Sequence, residues 1–144
     1  MKLSESLEDY LEAIYNEILK KNEAKVTDIS NILNVKKASV TGALISLKNK
    51  GLINYEPYSA ITLTELGEKL AADIIEKHKV MSEFLENILN LPKDEAIENA
   101  CKMEHIMSET MFDRMTKFSV FIQELCKTHP ELKQKISKLY EQDR

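Results

Sequence analysis

Residues 27–51 read TDISNILNVKKASVTGALISLKNKG, and this stretch decides the fold. Its apolar residues recur with the 3.6-residue period of a helix on both sides of a short turn at residues 34–37. Thr27 is a suitable N-cap for the first helix, and Ala38 or Ser39 opens the second. Gly51 stands where a helix commonly ends. Two short helices joined by a tight turn are typical of a helix-turn-helix.

The segment after Gly51 changes its period. Residues 52–55 and 60–63 carry β-branched and aromatic residues at alternating positions, and residues 56–59 form a loop between them. The sequence therefore predicts a two-stranded β wing after the helix-turn-helix.

The rest of the 144-residue chain is predicted to be helical, because only three glycines and three prolines interrupt it. A first helix begins at Ser4 or Ser6 and ends near Lys21, and Thr64 caps a long helix that ends near residues 90–91. Further helices are expected at residues 93–106, 108–116, 119–127 and 130–142. The fold class is mainly α: a winged helix-turn-helix domain (residues 1–70) followed by an all-helical domain (residues 71–144).

Composition excludes several classes of protein. No window approaches eighteen uncharged apolar residues, and the N-terminus lacks the basic and apolar regions of a secretion signal. Two cysteines, Cys101 and Cys126, are too few for a disulfide framework. We therefore expect a cytoplasmic protein.

The charge is unevenly distributed. The net charge is −4, yet residues 20–50 hold seven lysines against two acidic residues. Such a stretch can be a solvated face, and winged helices also bind proteins. Here, however, lysines and small hydroxyl residues lie at the helix end that enters a major groove, which favours DNA binding. The candidate DNA-binding residues are Lys36, Lys37, Ala38, Ser39, Thr41, Gly42 and Lys48.

A second signal lies in the pentad Cys101-Lys102-Met103-Glu104-His105. On a helix, Cys101, Glu104 and His105 project from one face and can converge on one ion. Thiolate, carboxylate and imidazole together suit a divalent transition metal, although a buried cysteine beside a surface Glu-His pair would look the same. Asp9 and Glu12, which share a helix face, and His78, on an apolar stripe, strengthen the metal interpretation. Cys126 and His129 make a weaker case.

Six segments share a pattern with one known family: residues 6–15, 27–30, 38–41, 51–58, 63–67 and 101–105. Together they resemble the metal-dependent repressors of the diphtheria-toxin-repressor and manganese-transport-regulator family, in register from about residue 4 to residue 108. The resemblance implies a homodimer that binds double-stranded operator DNA and holds a divalent ion between the domains of each subunit.

The resemblance also assigns metal ligands, which fall on Asp9, Glu12, His78, Cys101, Glu104 and His105. Asp9 is similar to the manganese-responsive members, whereas Cys101 is similar to the iron-responsive members. Fe(II) or Mn(II) is therefore the expected cofactor, and the thiolate favours Fe(II).

This sequence departs from the family pattern in three places, which limits the site residues that the resemblance can assign. Ser82 and Ile97 replace ligands of the ancillary site of the iron-responsive branch, so that site is expected to be absent or rebuilt, with Glu83 as a candidate. Gly42 replaces a side chain that contacts the operator. The chain ends at Arg144, which is expected to leave no room for the third domain of some relatives.

The sequence also bears on two other functions, an enzyme and a regulator that does not sense a metal. A di-metal carboxylate enzyme usually needs Glu-x-x-His twice, but Ile75, Lys102 and Cys126 precede the three histidines by three residues. The sequence therefore predicts no enzyme. The alternative is a winged-helix regulator that senses a small organic ligand, or oxidation at Cys101, instead of a metal.

Overall fold

A computed structural model describes residues 2–141, which form seven helices and one two-stranded antiparallel sheet. This architecture confirms the predicted fold class. The chain divides into two compact units, Met1–Ile75 and Glu76–Arg144. The predicted domain ranges, 1–70 and 71–144, stay predictions. The elements are α1 (Glu5–Lys21), α2 (Val26–Leu33), α3 (Lys37–Asn49), β1 (Ile53–Asn54), β2 (Thr62–Leu63), α4 (Glu65–Asn87), α5 (Lys93–Glu104), α6 (Glu109–Thr128) and α7 (Pro130–Glu141).

The first unit has a continuous apolar core. Helices α1, α2 and α3 pack against one another, and each contributes side chains without solvent exposure. Burial of one such leucine or isoleucine contributes about 1.5–3 kcal/mol. The fully buried large side chains of this unit are Leu11, Ile14, Ile29, Val40, Leu44, Leu47, Leu52 and Ile61.

The junction between α3 and the wing is a Schellman turn. Gly51 has a positive φ of 74°, and its N–H donates to the carbonyl of Lys48. The N–H of Leu52 donates to the carbonyl of Leu47 over 3.1 Å. These bonds satisfy the last carbonyls of α3 and direct the chain into β1, as the position of Gly51 predicted.

The wing is shorter than predicted. β1 pairs with β2 through Ile53 with Leu63 and Asn54 with Thr62 only. Ile61 instead forms an antiparallel bridge with Ala24, in the joint between α1 and α2.

The starts of two helices differ from the prediction. Helix α2 begins at Val26 after the extended Lys25, because the Ala24 bridge ends directly before it, so Thr27 is not the cap. Helix α3 begins at Lys37, ahead of Ala38, because the N–H groups of Ser39 and Val40 donate to the carbonyl of Lys36.

Helix α6 is one helix where two were predicted, at residues 108–116 and 119–127. Residues 117–118 contain no helix breaker, and Lys117 pairs with Asp113 one turn earlier at 2.8 Å. Helix α7 begins at Pro130 as predicted, and the predicted end at Gln142 lies outside the described residues.

The second unit has a smaller core. Met81 and Leu85 of α4 pack with Ala96 and Ala100 of α5, and partly buried methionines complete the cluster. Several large apolar side chains of α6 remain exposed. None of the helices within residues 2–141 is long and apolar enough to cross a membrane.

Gly67 permits the close approach of α4 to the chain leaving α3. Thr64 caps α4, as predicted: its hydroxyl accepts from the N–H of Gly67 and donates to the carbonyl of Gly51. A Cβ at position 67 would collide with the carbonyl oxygen of Leu52.

We expect Gly67→Ala to destabilise the protein by about 1–3 kcal/mol, since backbone must shift to relieve the collision. Gly42→Ala is the matched control, because nothing lies within 4 Å of a Cβ there. It should stabilise α3 by about 0.5–1 kcal/mol. Thermal unfolding followed by circular dichroism checks both, and equal midpoints for the two variants would contradict this packing.

Candidate functional site

Three predicted metal ligands converge within the second unit. Ligand atoms of His78 on α4 and of Cys101 and Glu104 on α5 all lie within 4.8 Å of one another. A ligand atom of His105 also lies within 4.8 Å of one of Cys101. The second unit therefore brings together four of the six residues that were proposed as ligands.

The local sequence explains this convergence. Cys101 and Glu104 are three residues apart, so they share one face of α5. The small, fully buried Ala96 and Ala100 lie in the same core cluster as Met81 of α4, and their size permits close approach of the two helices. His78 lies three residues before Met81 and so projects from the same side of α4.

Glu104 is the buried acid of this cluster. Its side chain is 2% exposed, and within the described residues neither carboxylate oxygen accepts a hydrogen bond. His78 Nδ1 lies 3.3 Å from Oε2, and His105 Nε2 lies 3.7 Å from Oε1. A buried carboxylate is costly unless a positive charge compensates it. An imidazolium or a metal ion can supply that charge.

His105 lies at the end of α5 and not within it. It is the C-cap residue, yet its φ of −75° and ψ of −24° continue the helical path. Its side chain is only 4% exposed. The prediction that Cys101, Glu104 and His105 share one side therefore holds, although the regular helix ends at Glu104.

Asp9 and Glu12 belong to the first unit. Both are half-buried residues of α1, three positions apart on one face of that helix. Helix α1 packs through Leu11 and Ile14 into the core that α2 and α3 share.

The donor set fits a divalent transition metal. A thiolate and two imidazoles are softer donors than Ca²⁺ or Mg²⁺ prefers, and the carboxylate of Glu104 adds negative charge. Lys102, inside the pentad, faces solvent and bonds to Glu98 at 2.9 Å. That hydrogen bond lowers the pKa of Glu98 and raises the pKa of Lys102.

The weaker metal candidates stay apart from this cluster. His129 is the C-cap of α6, and its Nδ1 lies 2.9 Å from the hydroxyl of Thr128. Within residues 2–141, no group of three ligand-type side chains includes Cys126, His129 or Glu83. Ser82 donates its hydroxyl to the carbonyl of Lys79, and Ile97 is exposed.

The candidate DNA-binding residues lie along α3. Lys36, Lys37, Ala38 and Ser39 are exposed at its N-terminal end, and Lys48 is exposed in its last turn. The opposite side of α3 is buried through Val40, Leu44 and Leu47. The hydroxyl of Thr41 donates to the carbonyl of Lys37 at 3.0 Å, and the space around Gly42 is open.

A groove of about 790 Å³ separates α3 from the wing. We call it the α3–wing groove, and its lining residues include Lys25, Lys37, Lys48, Tyr55 and Tyr58. Lys25 and Tyr58 are not among the candidate DNA-binding residues predicted from the sequence. Two sequence features could have indicated these residues, because Lys25 belongs to the lysine-rich stretch and Tyr58 belongs to the wing loop.

The turn at the wing tip is well defined. The N–H of Ser59 donates to the carbonyl of Glu56 at 3.0 Å, Pro57 takes the second position, and Tyr58 has a φ of 64°. This pattern is typical of a type II turn. Glu56 Oε1 lies 2.8 Å from Lys48 Nζ, so an exposed ion pair joins the wing to the end of α3.

Comparison with known proteins adds two matching family models. Residues 2–61 match the N-terminal DNA binding domain of iron dependent repressors, and residues 64–133 match their metal binding and dimerisation domain. Together the two models span most of the chain.

Several relatives are similar over most of the chain. An uncharacterised HTH-type transcriptional regulator of Methanocaldococcus jannaschii is 43% identical, over 81% of this chain and 94% of that protein. The HTH-type transcriptional regulator MntR of Lysinibacillus sphaericus is 34% identical, over 76% and 78%. The crystal structure of IdeR from T. acidophilum is 30% identical with a TM-score of 0.67; the match covers 76% of this chain and 52% of that one. The chain thus spans about half the length of that solved structure.

We expect added Mn(II), Co(II) or anaerobic Fe(II) to raise the thermal midpoint, because a ligand at 100 times its dissociation constant stabilises the fold by about 2.7 kcal/mol. Glu104→Gln keeps the shape of the side chain and removes its charge, so it should lose most of this rise. Glu98→Gln on the exposed side of α5 is the control and should keep it. Equal rises in both variants would contradict a metal site at Glu104.

Proposed function

Because the chain belongs to the iron-dependent repressor family, whose members are metal-dependent transcriptional repressors, we propose that it is a cytoplasmic regulator of metal-ion homeostasis. In this proposal it binds operator DNA as a homodimer when Fe(II) or Mn(II) is present. The observation that carries the proposal is the convergence of His78 and Cys101 on the buried carboxylate of Glu104.

The proposed ligand set has six members. His78, Cys101, Glu104 and His105 come from the second unit, where their positions support the assignment. Asp9 and Glu12 come from α1, and the family resemblance supports their inclusion. When bound, the ion supplies the positive charge that the buried carboxylate of Glu104 requires.

The donors also bear on metal preference. Cys101 offers a thiolate, which suits Fe(II) better than Mn(II), whereas Asp9 and Glu12 offer the hard oxygens that Mn(II) accepts. We propose Fe(II) as the first candidate because of Cys101. Cys101→Asp should then shift the metal preference toward Mn(II).

The proposed DNA face is the exposed side of α3. Lysines near the helix ends and the positive end of the helix dipole at its start suit phosphate contacts, and small side chains leave room for bases. In a dimer, two such helices would read half-sites about one helical turn apart, or a multiple of it. The residues proposed to contact DNA are Lys36, Lys37, Ala38, Ser39, Thr41, Gly42 and Lys48.

Helix α1 provides a physical route from metal to DNA. Asp9 and Glu12 lie on the helix that carries Leu11 and Ile14 into the core beside α3. Holding these carboxylates in one place would therefore restrict where α3 lies. Metal binding would then favour the conformation of the dimer that binds the operator.

We expect Fe(II) or Mn(II) to raise affinity for the DNA upstream of the chain's own gene by about 5-fold to 150-fold, a typical coupling between two sites. Anaerobic fluorescence anisotropy with several divalent metals measures it. Asp9→Ala should reduce this dependence on metal. Glu5→Ala, an exposed acidic residue in the first turn of α1, is the control. Equal affinity after complete removal of metal would contradict the proposal.

The proposed homodimer uses the second unit. Met111, Phe118, Val120 and Phe121 of α6 are each at least 44% exposed, within the segment that matches a dimerisation domain. Exposed apolar groups of this size commonly mark protein interfaces.

Phe121→Glu should convert the dimer to a monomer at micromolar concentration, since it places a charge in an apolar interface. Light scattering coupled to size-exclusion chromatography measures the mass. Thr110→Glu adds the same charge to an exposed position of α6 and should leave the dimer intact. An unchanged mass for Phe121→Glu would exclude this face of α6.

A further inference from the structure

The wing holds a carboxylate against the last turn of the DNA-facing helix. Lys48 Nζ and Glu56 Oε1 are 2.8 Å apart, and both side chains are well exposed. Lys48 is a proposed DNA contact, whereas Glu56 has no role in the function described above. An anionic oxygen therefore lies where a DNA phosphate would be expected to meet Lys48.

The backbone fixes the position of Glu56. It is the first residue of the type II turn, closed by the bond from the N–H of Ser59. Two residues earlier, the side chain of Asn54 donates to the hydroxyl of Thr62 on the paired strand at 3.1 Å. The carboxylate is therefore presented by an ordered turn.

The electrostatic consequence follows from the surroundings. Lys25, Lys37 and Lys48 line the α3–wing groove and attract phosphates to it. Lys25 Nζ lies 3.6 Å from Glu23, a longer separation than that of Lys48 from Glu56. Glu56 thus neutralises Lys48 more closely than Glu23 neutralises Lys25. An exposed pair of this kind is weak, so a phosphate can displace the carboxylate.

We propose that Glu56 is a positioning residue that holds Lys48 in the free protein and lowers its affinity for DNA of any sequence. A phosphate must displace Glu56 before Lys48 can contact the backbone. Since non-specific binding depends almost entirely on phosphate contacts, this competition keeps the repressor from being retained on non-operator DNA. The inference rests on the proposed DNA-binding role of Lys48.

The test uses the 144-residue chain loaded with Mn(II) and a fluorescent duplex of random sequence. Anisotropy over a series of salt concentrations compares wild type with Glu56→Gln, Glu56→Asp, Lys48→Met and the double variant Glu56→Gln/Lys48→Met. Glu98→Gln is the matched control, because it makes the same charge change in an exposed pair on α5, 2.9 Å from Lys102. Circular dichroism melting checks that each variant folds.

We expect Glu56→Gln to raise the affinity about twofold to fivefold at low salt, the range of an exposed ion pair. The slope of log affinity against log salt should steepen by at most the contribution of one phosphate contact, about 0.9, because salt also weakens the competing Lys48–Glu56 pair in the wild type. A purely structural role of Glu56 would not steepen this slope. Glu56→Asp, which keeps the charge, should stay near wild type.

The possible outcomes distinguish a failure of this inference from a failure of the proposed DNA-binding function. If Lys48→Met weakens binding but Glu56→Gln behaves like Glu98→Gln, the inference is wrong and the DNA face stands. If Glu56→Gln raises the affinity equally when Lys48 is methionine, the effect is one of net charge and the inference is again wrong. If Lys48→Met has no effect, the proposed role of Lys48 fails, and the inference fails with it.

Discussion

The carboxylate of Glu104 is the constraint on which the second unit depends. Removing a carboxylate from water costs several kcal/mol unless a positive charge or hydrogen bonds compensate it. Within the described residues its oxygens accept no hydrogen bond, and two imidazoles approach them instead. The small core of alanines and methionines brings α5 close to α4 and so creates this cost. Under the proposed function, this one carboxylate affects both the stability of the second unit and the binding of metal.

Much of the fold could be predicted from the sequence, because local signals agreed with the tertiary structure. Gly51 ends α3 and Thr64 caps α4, as their residue types indicated. One prediction failed because of a distant contact: the bridge from Ala24 to Ile61 ends directly before α2 and so sets where that helix begins. The predicted division of α6 was wrong for a local reason, because no helix breaker lies between residues 116 and 119.

The candidate site was predicted in part from spacing and in part from resemblance. Spacing within one helix placed Cys101 and Glu104 together, since i and i+3 lie on one face. No local pattern could place His78 beside them, because that depends on how α4 and α5 pack. Family membership is confirmed, and with it the divalent metal cofactor. The alternative of a small organic ligand or oxidation at Cys101 is not favoured.

The bridge between Ala24 and Ile61 has a mechanical consequence. Two backbone hydrogen bonds, of 3.3 Å and 2.8 Å, join the joint that follows α1 to the strand side of the wing. Helix α1 and the wing therefore cannot shift separately without breaking them. A displacement at the end of α1 would therefore be transmitted to the wing, beside the helix proposed to contact DNA.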